Sequence, residues 1–215
     1  MGYGELWEAT HGELLTAAWA TLQLAFGALV IGLIVGLLVA LARQSRSRPW
    51  RRAALSYIEL FRGTPALVQL FIVYFSLTEI GVQFSSFQAA MIGLGLNAAA
   101  YLAEIYRAGL EAVPKGQVEA AKAIGMPHLK VLRWVVLPQA IRIVLAPIGN
   151  VAISLLKDTS VASLIAAPDL MLRAQDLSSV YFMPLEIYIL VGGIYFALCY
   201  PLSLGVRLLE RKTRH

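Results

Sequence analysis

The chain has little charge and almost no cysteine. Of its 215 residues, Asp, Glu, Lys and Arg make up 14%, whereas hydrophobic residues make up 59%, and the mean hydropathy is +0.70. This composition is far more apolar than that of a water-soluble domain and indicates a membrane protein. The single cysteine, Cys199, lies in an apolar run, which excludes a disulfide framework and a cysteine-based metal site.

The signatures of common catalytic and phosphate-binding sites are also missing. The sequence contains no G-x-x-x-x-G-K-[ST] phosphate loop, no H-E-x-x-H zinc motif and no G-x-S-x-G nucleophile turn. His11, His128 and His215 are too scattered to indicate a shared metal ion. We therefore predict no catalytic residue, no metal site, no bound cofactor and no enzymatic activity in this chain.

Basic residues are nearly absent from one side of the predicted membrane. Residues 1–13 carry glutamates but no Lys or Arg, so we expect the apolar run that follows to be a retained span rather than a cleaved signal peptide. All but two of the 18 Lys and Arg residues lie in the segments 43–62, 107–142 and 207–214. The exceptions are Lys157 and Arg173. Because basic loops remain cytoplasmic, the N-terminus is predicted outside and the C-terminus inside. This placement accounts for the net charge of +5 without nucleic acid.

Five apolar stretches are candidates to cross a bilayer, which takes ~20 helical residues. The predicted spans are residues 14–42, 63–82, 87–110, 135–157 and 186–209. Residues 111–134 form a predicted cytoplasmic loop, and Ala53–Arg62 is either an interfacial helix or the inner end of the second span. The predicted fold class is an all-α membrane protein with five transmembrane helices in one domain, residues 1–215.

Two local patterns refine this picture. Gly27, Gly32 and Gly36 give the first span a small-residue surface for close helix contact. At the start of the second span, Thr64 is predicted to cap a helix that begins at Pro65, where the missing N–H does no harm.

A polar stretch, residues 119–138, separates two strongly apolar segments and reads EAAKAIGMPHLKVLRWVVLP. Its first residues favour a helix, Gly125 is placed to end that helix as a C′ glycine, and Pro127 and His128 restart the chain. The residues that share one face of a helical wheel, with charged residues beside it, form a small apolar ridge that suits a groove on another protein. They are Val118, Ala121, Gly125 and Leu129, flanked by Glu119 and Lys122. In the alternative interpretation, Glu119 merely pairs with nearby lysines in solvent.

This spacing resembles the EAA loop of ATP-binding cassette importer permeases, with Val135 where isoleucine is commoner. Three further stretches narrow the resemblance to the polar amino-acid class and extend it over essentially the whole chain. They are FRGTPALVQLF at 61–71, NAAAYLAEIYRAGLEAVPKGQ at 97–117 and KDTS at 157–160.

The resemblance implies a type I importer permease fold in the bacterial cytoplasmic (inner) membrane. It also implies a second permease subunit, identical or homologous, and two ATPase subunits that hold ATP and Mg²⁺. An external substrate-binding protein would deliver a polar amino acid, which crosses by alternating access. The residues implied to couple the loop to the ATPase are Gly116, Glu119, Ala120, Ala121, Gly125, Pro127 and His128.

Polar side chains in the predicted spans form the substrate-site hypothesis. An amino acid carries an ammonium and a carboxylate, so Asp158 could accept the ammonium or a basic side chain, and Lys157 could meet the carboxylate. The full candidate set is Asn97, Asp158, Thr159, Ser160, Lys157, Gln69 and Tyr101. Lys157 could instead reach the outer lipid head groups, and Asn97 or Gln69 could serve helix contacts. Glu104 is expected to pair with Arg107, Arg62 or Arg142 rather than to contact substrate.

Two other functions remain open on the sequence alone. An ion-driven secondary transporter would need no EAA loop, and a non-transporting assembly subunit would tolerate replacement of Asn97 and Asp158. The sequence leaves open which amino acid is carried.

Overall fold

The computed structural model describes residues 2–76, 79, 81 and 83–213, and every regular element in them is helical. The α-helices are α1 (Tyr3–Arg43), α2 (Arg48–Gly63), α3 (Ala66–Phe71), α4 (Ser86–Glu111), α5 (Lys115–Ala123), α6 (His128–Val131), α7 (Leu137–Asp158), α8 (Leu170–Tyr181) and α9 (Pro184–Thr213). Ile72–Ser76 and Leu132–Val136 are π-helical, and Thr159–Ile165 is a 3₁₀-helix. Part of the predicted end of the second span (residues 77, 78, 80 and 82), together with Arg214 and His215, lies outside the described residues.

Four helices in the described ranges are long and apolar enough to cross a membrane. They are α1, α4, the continuous run His128–Ile165 and Pro184–Arg211 of α9. The pair Arg48–Gly63 and Ala66–Ser76, bent by 112°, provides a fifth span if it counts as one broken span. The predicted all-α membrane class is therefore confirmed. The helix that includes the fourth span begins at His128 because the chain runs through the π-helical turn without a break.

The centre of the bundle is the close contact between α1 and α4. A Cβ added at Gly36 would lie 2.9 Å from the Ala99 carbonyl oxygen, and one at Gly32 would lie 3.2 Å from the Ala98 Cβ. The predicted small-residue surface of the first span is thus confirmed. Glu104 of α4 forms ion pairs with Arg43 at the end of α1 and with Arg107. Arg107 was one of the three partners expected for Glu104 from the sequence, whereas Arg43 was not among them.

Between α2 and α3 the chain turns sharply at Thr64 and Pro65. The prediction that Thr64 caps the following helix is wrong, because α3 begins after Pro65 and its first turn receives no side-chain bond. The Thr64 hydroxyl instead donates backwards to the Leu60 carbonyl oxygen at 2.8 Å. Since proline offers no N–H to continue α2, the helix ends here, and this break forms one wall of a cavity described below.

The N-terminal part of α1 extends beyond a single membrane crossing. Its 41 residues correspond to ~62 Å of helix, about twice the ~30 Å hydrocarbon thickness. Leu6 and Leu14 are fully buried there against Leu170 and Leu177 of α8 and Ile187 of α9. This packing attaches α8, which lies between α7 and α9 in the chain, to the N-terminal part of α1.

Candidate substrate cavity and coupling loop

A cavity of about 670 Å³ lies between the α2–α3 break, α4, α7 and the start of the 3₁₀-helix. Its polar lining consists of Thr64, Asn97, Tyr101, Asn150, Ser154 and Asp158. Residues four apart lie on the same helix face. This spacing explains why α4 contributes Asn97 with Tyr101, and α7 contributes a polar row that ends at Asp158.

Asp158 is the only charged side chain that lines this cavity within the described residues. Outside the lining, the Arg62 guanidinium lies over the Tyr101 ring, 5.5 Å from its centroid. A carboxylate that faces hydroxyl and amide groups can bind an ammonium or another cationic group. The neutral polar groups opposite it can hydrogen-bond the rest of a polar ligand.

Gln69 lies behind the cavity wall rather than in it. Its side chain is buried, and its amide nitrogen donates to the Thr64 Oγ1 at 2.8 Å and the Phe61 carbonyl oxygen at 2.9 Å. Its carbonyl oxygen accepts from Nδ2 of Asn97 at 2.9 Å. Gln69 thus joins α4 to the α2–α3 break and binds the side-chain amide of Asn97.

Three of the predicted substrate residues lie elsewhere. Thr159 is fully buried and donates to the Leu156 carbonyl oxygen at 2.9 Å. Lys157 and Ser160 line a separate cavity of about 320 Å³ between the end of α7 and α9. The structure therefore brings Asn97, Tyr101 and Asp158 together, while the neighbours of Asp158 point to other surroundings because successive helical residues are rotated by about 100°.

The cavity also contains polar residues that the sequence-based set omitted. Asn150 and Ser154 precede Asp158 by two helical turns and one turn, and Thr64 lies at the α2–α3 break. The four-residue spacing along α7 was a signal that could have identified the first two. Thr64 could not be identified in this way, because its position depends on how α2 and α3 fold against α4.

The loop of residues 111–134 has the turn that its sequence predicts. Gly125 has φ +80°, its N–H donates to the Lys122 carbonyl oxygen at 2.9 Å, and the Met126 N–H donates to the Ala121 carbonyl oxygen at 3.1 Å. These two bonds form a Schellman motif, in which the C′ residue is left-handed. The prediction that Gly125 closes the α5 helix is confirmed.

The predicted coupling residues form one exposed surface around this turn. Gly116, Glu119, Ala120, Gly125, Pro127 and His128 are exposed, whereas Ala121 is buried. Two apolar side chains beside them, Ile124 at 78% and Leu129 at 76% exposure, are left uncovered by the chain itself. In the described structure Glu119 forms no ion pair with nearby lysines. Exposed apolar groups next to charges are typical of a protein-docking surface.

Comparisons with known proteins identify the family of this chain. A family model described as the binding-protein-dependent transport system inner membrane component matches residues 28–215. The probable amino-acid ABC transporter permease protein YckA of Bacillus subtilis (strain 168) is 41% identical over 195 residues, which cover 91% of this chain and 86% of that protein. The L-cystine transport system permease protein TcyB of the same organism is 42% identical over 193 residues, covering 89% and 82% of the two chains.

A solved structure supports the same assignment. The crystal structure of an amino acid ABC transporter with histidines has a chain that superposes with a TM-score of 0.93 at 38% identity, with 99% of both chains covered. The resemblance to amino-acid importer permeases and the bacterial inner-membrane location are confirmed, and the ATPase of such a transporter is a separate subunit. The chain belongs to the binding-protein-dependent transport system inner membrane component family, as a permease subunit of an ATP-binding cassette importer.

Proposed function

We propose that this chain imports a polar amino acid whose ammonium, or basic side chain, binds Asp158 in the 670 Å³ cavity. The observation that carries the proposal is the single carboxylate among neutral polar groups there. Asn97, held by Gln69, and Tyr101 complete the described half of the site. Every amino acid has an ammonium group, so binding at Asp158 defines amino acids as the substrate class. Which amino-acid side chain is accepted has to be found by experiment.

The full pathway requires a second permease subunit, identical or homologous to this one. Asp158 and Ser154 are exposed in the isolated chain, so the cavity has an open side that a second subunit can close. In this arrangement five spans run with the N-terminus outside and the C-terminus inside, embedded in lipid. The open side supports a paired assembly, because an exposed carboxylate on a bare membrane surface would be costly.

Coupling to ATP hydrolysis takes place at the exposed loop surface around Gly125. Two ATPase subunits, which bind ATP and Mg²⁺, would each take the exposed loop surface of one permease, with the apolar side chains of Ile124 and Leu129, into a groove. The helix from His128 to Ile165 then links this surface directly to Asp158. A movement of the loop is therefore transmitted to the cavity through this one continuous helix. An external binding protein delivers the substrate.

Uptake by proteoliposomes tests this function. The permease, reconstituted with its native ATPase and binding protein, is supplied with radiolabelled L-glutamine, L-arginine, L-glutamate or L-cystine, with ATP or with an imposed proton or sodium gradient. We expect uptake of at least one amino acid only with ATP. Gradient-driven uptake without ATP would indicate a secondary transporter. Unchanged uptake after replacement of both Asn97 and Asp158 would indicate that this chain only supports assembly.

A further inference from the structure

Four polar side chains from four elements meet at the end of the bundle next to Asp158. They are Thr21 of α1, Thr159 of the 3₁₀-helix, Asp169 at the start of α8 and Tyr195 of α9; we call them the hydroxyl–carboxylate cluster. Thr21 and Thr159 are fully buried, and Asp169 is 2% exposed. Such a set of buried polar groups requires hydrogen-bond partners, so its bonds can be counted one by one.

Three of the four side chains have backbone partners. Oγ1 of Thr21 accepts from the Leu170 N–H at 2.9 Å, and Oδ1 of Asp169 accepts from the Leu172 N–H at 2.8 Å. The Thr159 hydroxyl is occupied by its bond to the Leu156 carbonyl oxygen. The bond from Leu170 joins α8 to α1, and the bond to Leu156 holds Thr159, the first residue after α7. Oδ2 of Asp169 takes part in none of these bonds.

Two buried atoms in the cluster have no hydrogen-bond partner, Oδ2 of Asp169 and the hydroxyl oxygen of Tyr195. The Tyr195 side chain is nonetheless within interaction range of Asp169, Thr21 and Thr159. Both atoms are satisfied together if the Tyr195 hydroxyl donates to Oδ2 of Asp169, directly or through one water. The Tyr195 hydroxyl and Oδ2 of Asp169 are thus complementary as donor and acceptor.

The cluster lies next to the proposed substrate site along the chain. Thr159 directly follows Asp158, at the point where the α-helix tightens into the 3₁₀-helix. The segment from Thr159 to Asp169 contains Ala166 with φ 53°, a left-handed backbone that alanine adopts only when its surroundings hold it. Tyr195 approaches both ends of this segment and so can hold it as a closed loop.

We propose that Tyr195 is a positioning residue that sets the orientation of Asp158 in the cavity, because its hydroxyl donates to Asp169 while its side chain lies beside Thr159. This inference rests on the proposed function, since it needs Asp158 to bind substrate. Tyr195 does not line the 670 Å³ cavity and acts through the chain next to it.

The experiment compares Tyr195→Phe, which removes only the hydroxyl, with Tyr188→Phe on the same helix as the matched control. Binding of radiolabelled L-glutamine, L-arginine, L-glutamate and L-cystine to the purified complex gives the affinity for whichever of them the wild type binds. A second readout needs no ligand. Val161, which lines the cavity, is replaced by cysteine in a Cys199→Ser background, and its rate of labelling by N-ethylmaleimide is measured.

We expect Tyr195→Phe to weaken binding about tenfold, as for the loss of one hydrogen bond, and to change the labelling rate several-fold. Tyr188→Phe should match the wild type in both. In an Asp158→Asn background, Tyr195→Phe should cause no further loss of binding. If Tyr195→Phe prevents folding, Asp169→Asn replaces it in both assays, because it keeps an acceptor for the Leu172 N–H and removes the acceptor Oδ2, with Asp176→Asn as the matched control.

The outcomes separate the inference from the proposed function. Normal binding by Asp158→Asn would refute the proposed site itself. Impaired binding by Asp158→Asn beside wild-type affinity and labelling in Tyr195→Phe would refute the positioning role alone, even if thermal stability falls. A full additional loss in the double variant would also refute it, because Tyr195 would then act independently of Asp158.

Discussion

Nδ2 of Asn97 donates to the carbonyl oxygen of Gln69 across 2.9 Å, and this bond joins α4 to the α2–α3 break. The same Nδ2 reaches the Phe61 carbonyl oxygen at 3.2 Å. With Nδ2 occupied by these acceptors, Oδ1 of Asn97 is the atom that a ligand in the cavity can use. A side chain fixed in this way offers a defined hydrogen-bond acceptor opposite the carboxylate of Asp158.

The first prediction concerns these two cavity residues. Asp158→Asn and Asn97→Ala should impair transport while leaving an inserted complex that still binds its ATPase. Loss of a charge-assisted hydrogen bond costs about 1.5–3 kcal/mol, which corresponds to a tenfold to hundredfold loss of affinity. The measurement is substrate binding to the purified complex, with Ser160→Ala, which lines the other cavity, as the comparison. Normal affinity in Asp158→Asn would show that the substrate binds elsewhere.

The second prediction concerns the membrane topology, which follows from the distribution of the 18 basic residues. In a Cys199→Ser background, single cysteines at Glu8 and Gln83 should react with a membrane-impermeant thiol reagent applied from outside. Cysteines at Ser47 and Thr213 should react only after the membrane is permeabilised. Labelling of Ser47→Cys from outside would reverse the orientation and place the loop around Gly125 on the wrong side for an ATPase.

The third prediction concerns pH. Burial raises the pKa of Asp169 from 3.8 to about 6, and its bonds to the backbone of Leu172 and Met171 offset only part of this effect. The folded protein therefore holds this proton more tightly than the unfolded chain. Between about pH 4 and pH 6 the free energy of unfolding should fall as the pH rises, by about 3 kcal/mol from this group, and should level off above that range.

Thermal denaturation of the detergent-solubilised complex checks this pH dependence. Asp169→Asn cannot titrate, so its stability relative to the wild type should increase as the pH rises from 4 to 6. Asp176→Asn, at an exposed carboxylate on the same helix, controls for the general effect of removing a charge. A constant difference between Asp169→Asn and the wild type across this range would mean that Asp169 does not titrate there.

Features encoded by a few neighbouring residues could be predicted from the sequence. Gly125 after a short helix specifies its own left-handed turn, and Gly32 and Gly36 expose a flat surface wherever the partner helix lies. Asn97 and Asp158 could be selected as candidate substrate residues because a polar group in an apolar span costs free energy and commonly has a function. Such inferences depend on local geometry and on the membrane as solvent, and the fold did not alter them.

Features that depend on contacts between distant elements could not be predicted in this way. Gln69 was compatible with two roles until the position of Asn97 was known, and Thr64 bonds backwards rather than forwards because Pro65 redirects the chain. Lys157 is adjacent to Asp158 in sequence yet faces another cavity. The approach of Tyr195 to Asp169 involves two helices whose packing the sequence pattern does not specify.

If the exposed loop transmits ATP hydrolysis to the cavity, a substitution at Gly125 should interrupt the transmission. Gly125 has φ +80°, and a Cβ added there would meet nothing within 4 Å. A substitution at this position therefore strains the backbone but does not clash with any neighbouring side chain. Gly125→Val should be severe, because β-branched residues rarely adopt a positive φ. Gly125→Asn should be mild, because asparagine tolerates the left-handed region.

The decisive measurement is the substrate-stimulated ATPase activity of the reconstituted complex with its binding protein, together with capture of the ATPase by the tagged permease. We expect Gly125→Val to retain substrate binding but to lose stimulation, capture or both, and Gly125→Asn to keep most of each. Normal stimulation and normal capture with Gly125→Val would show that the loop is not the element that couples the ATPase to the cavity.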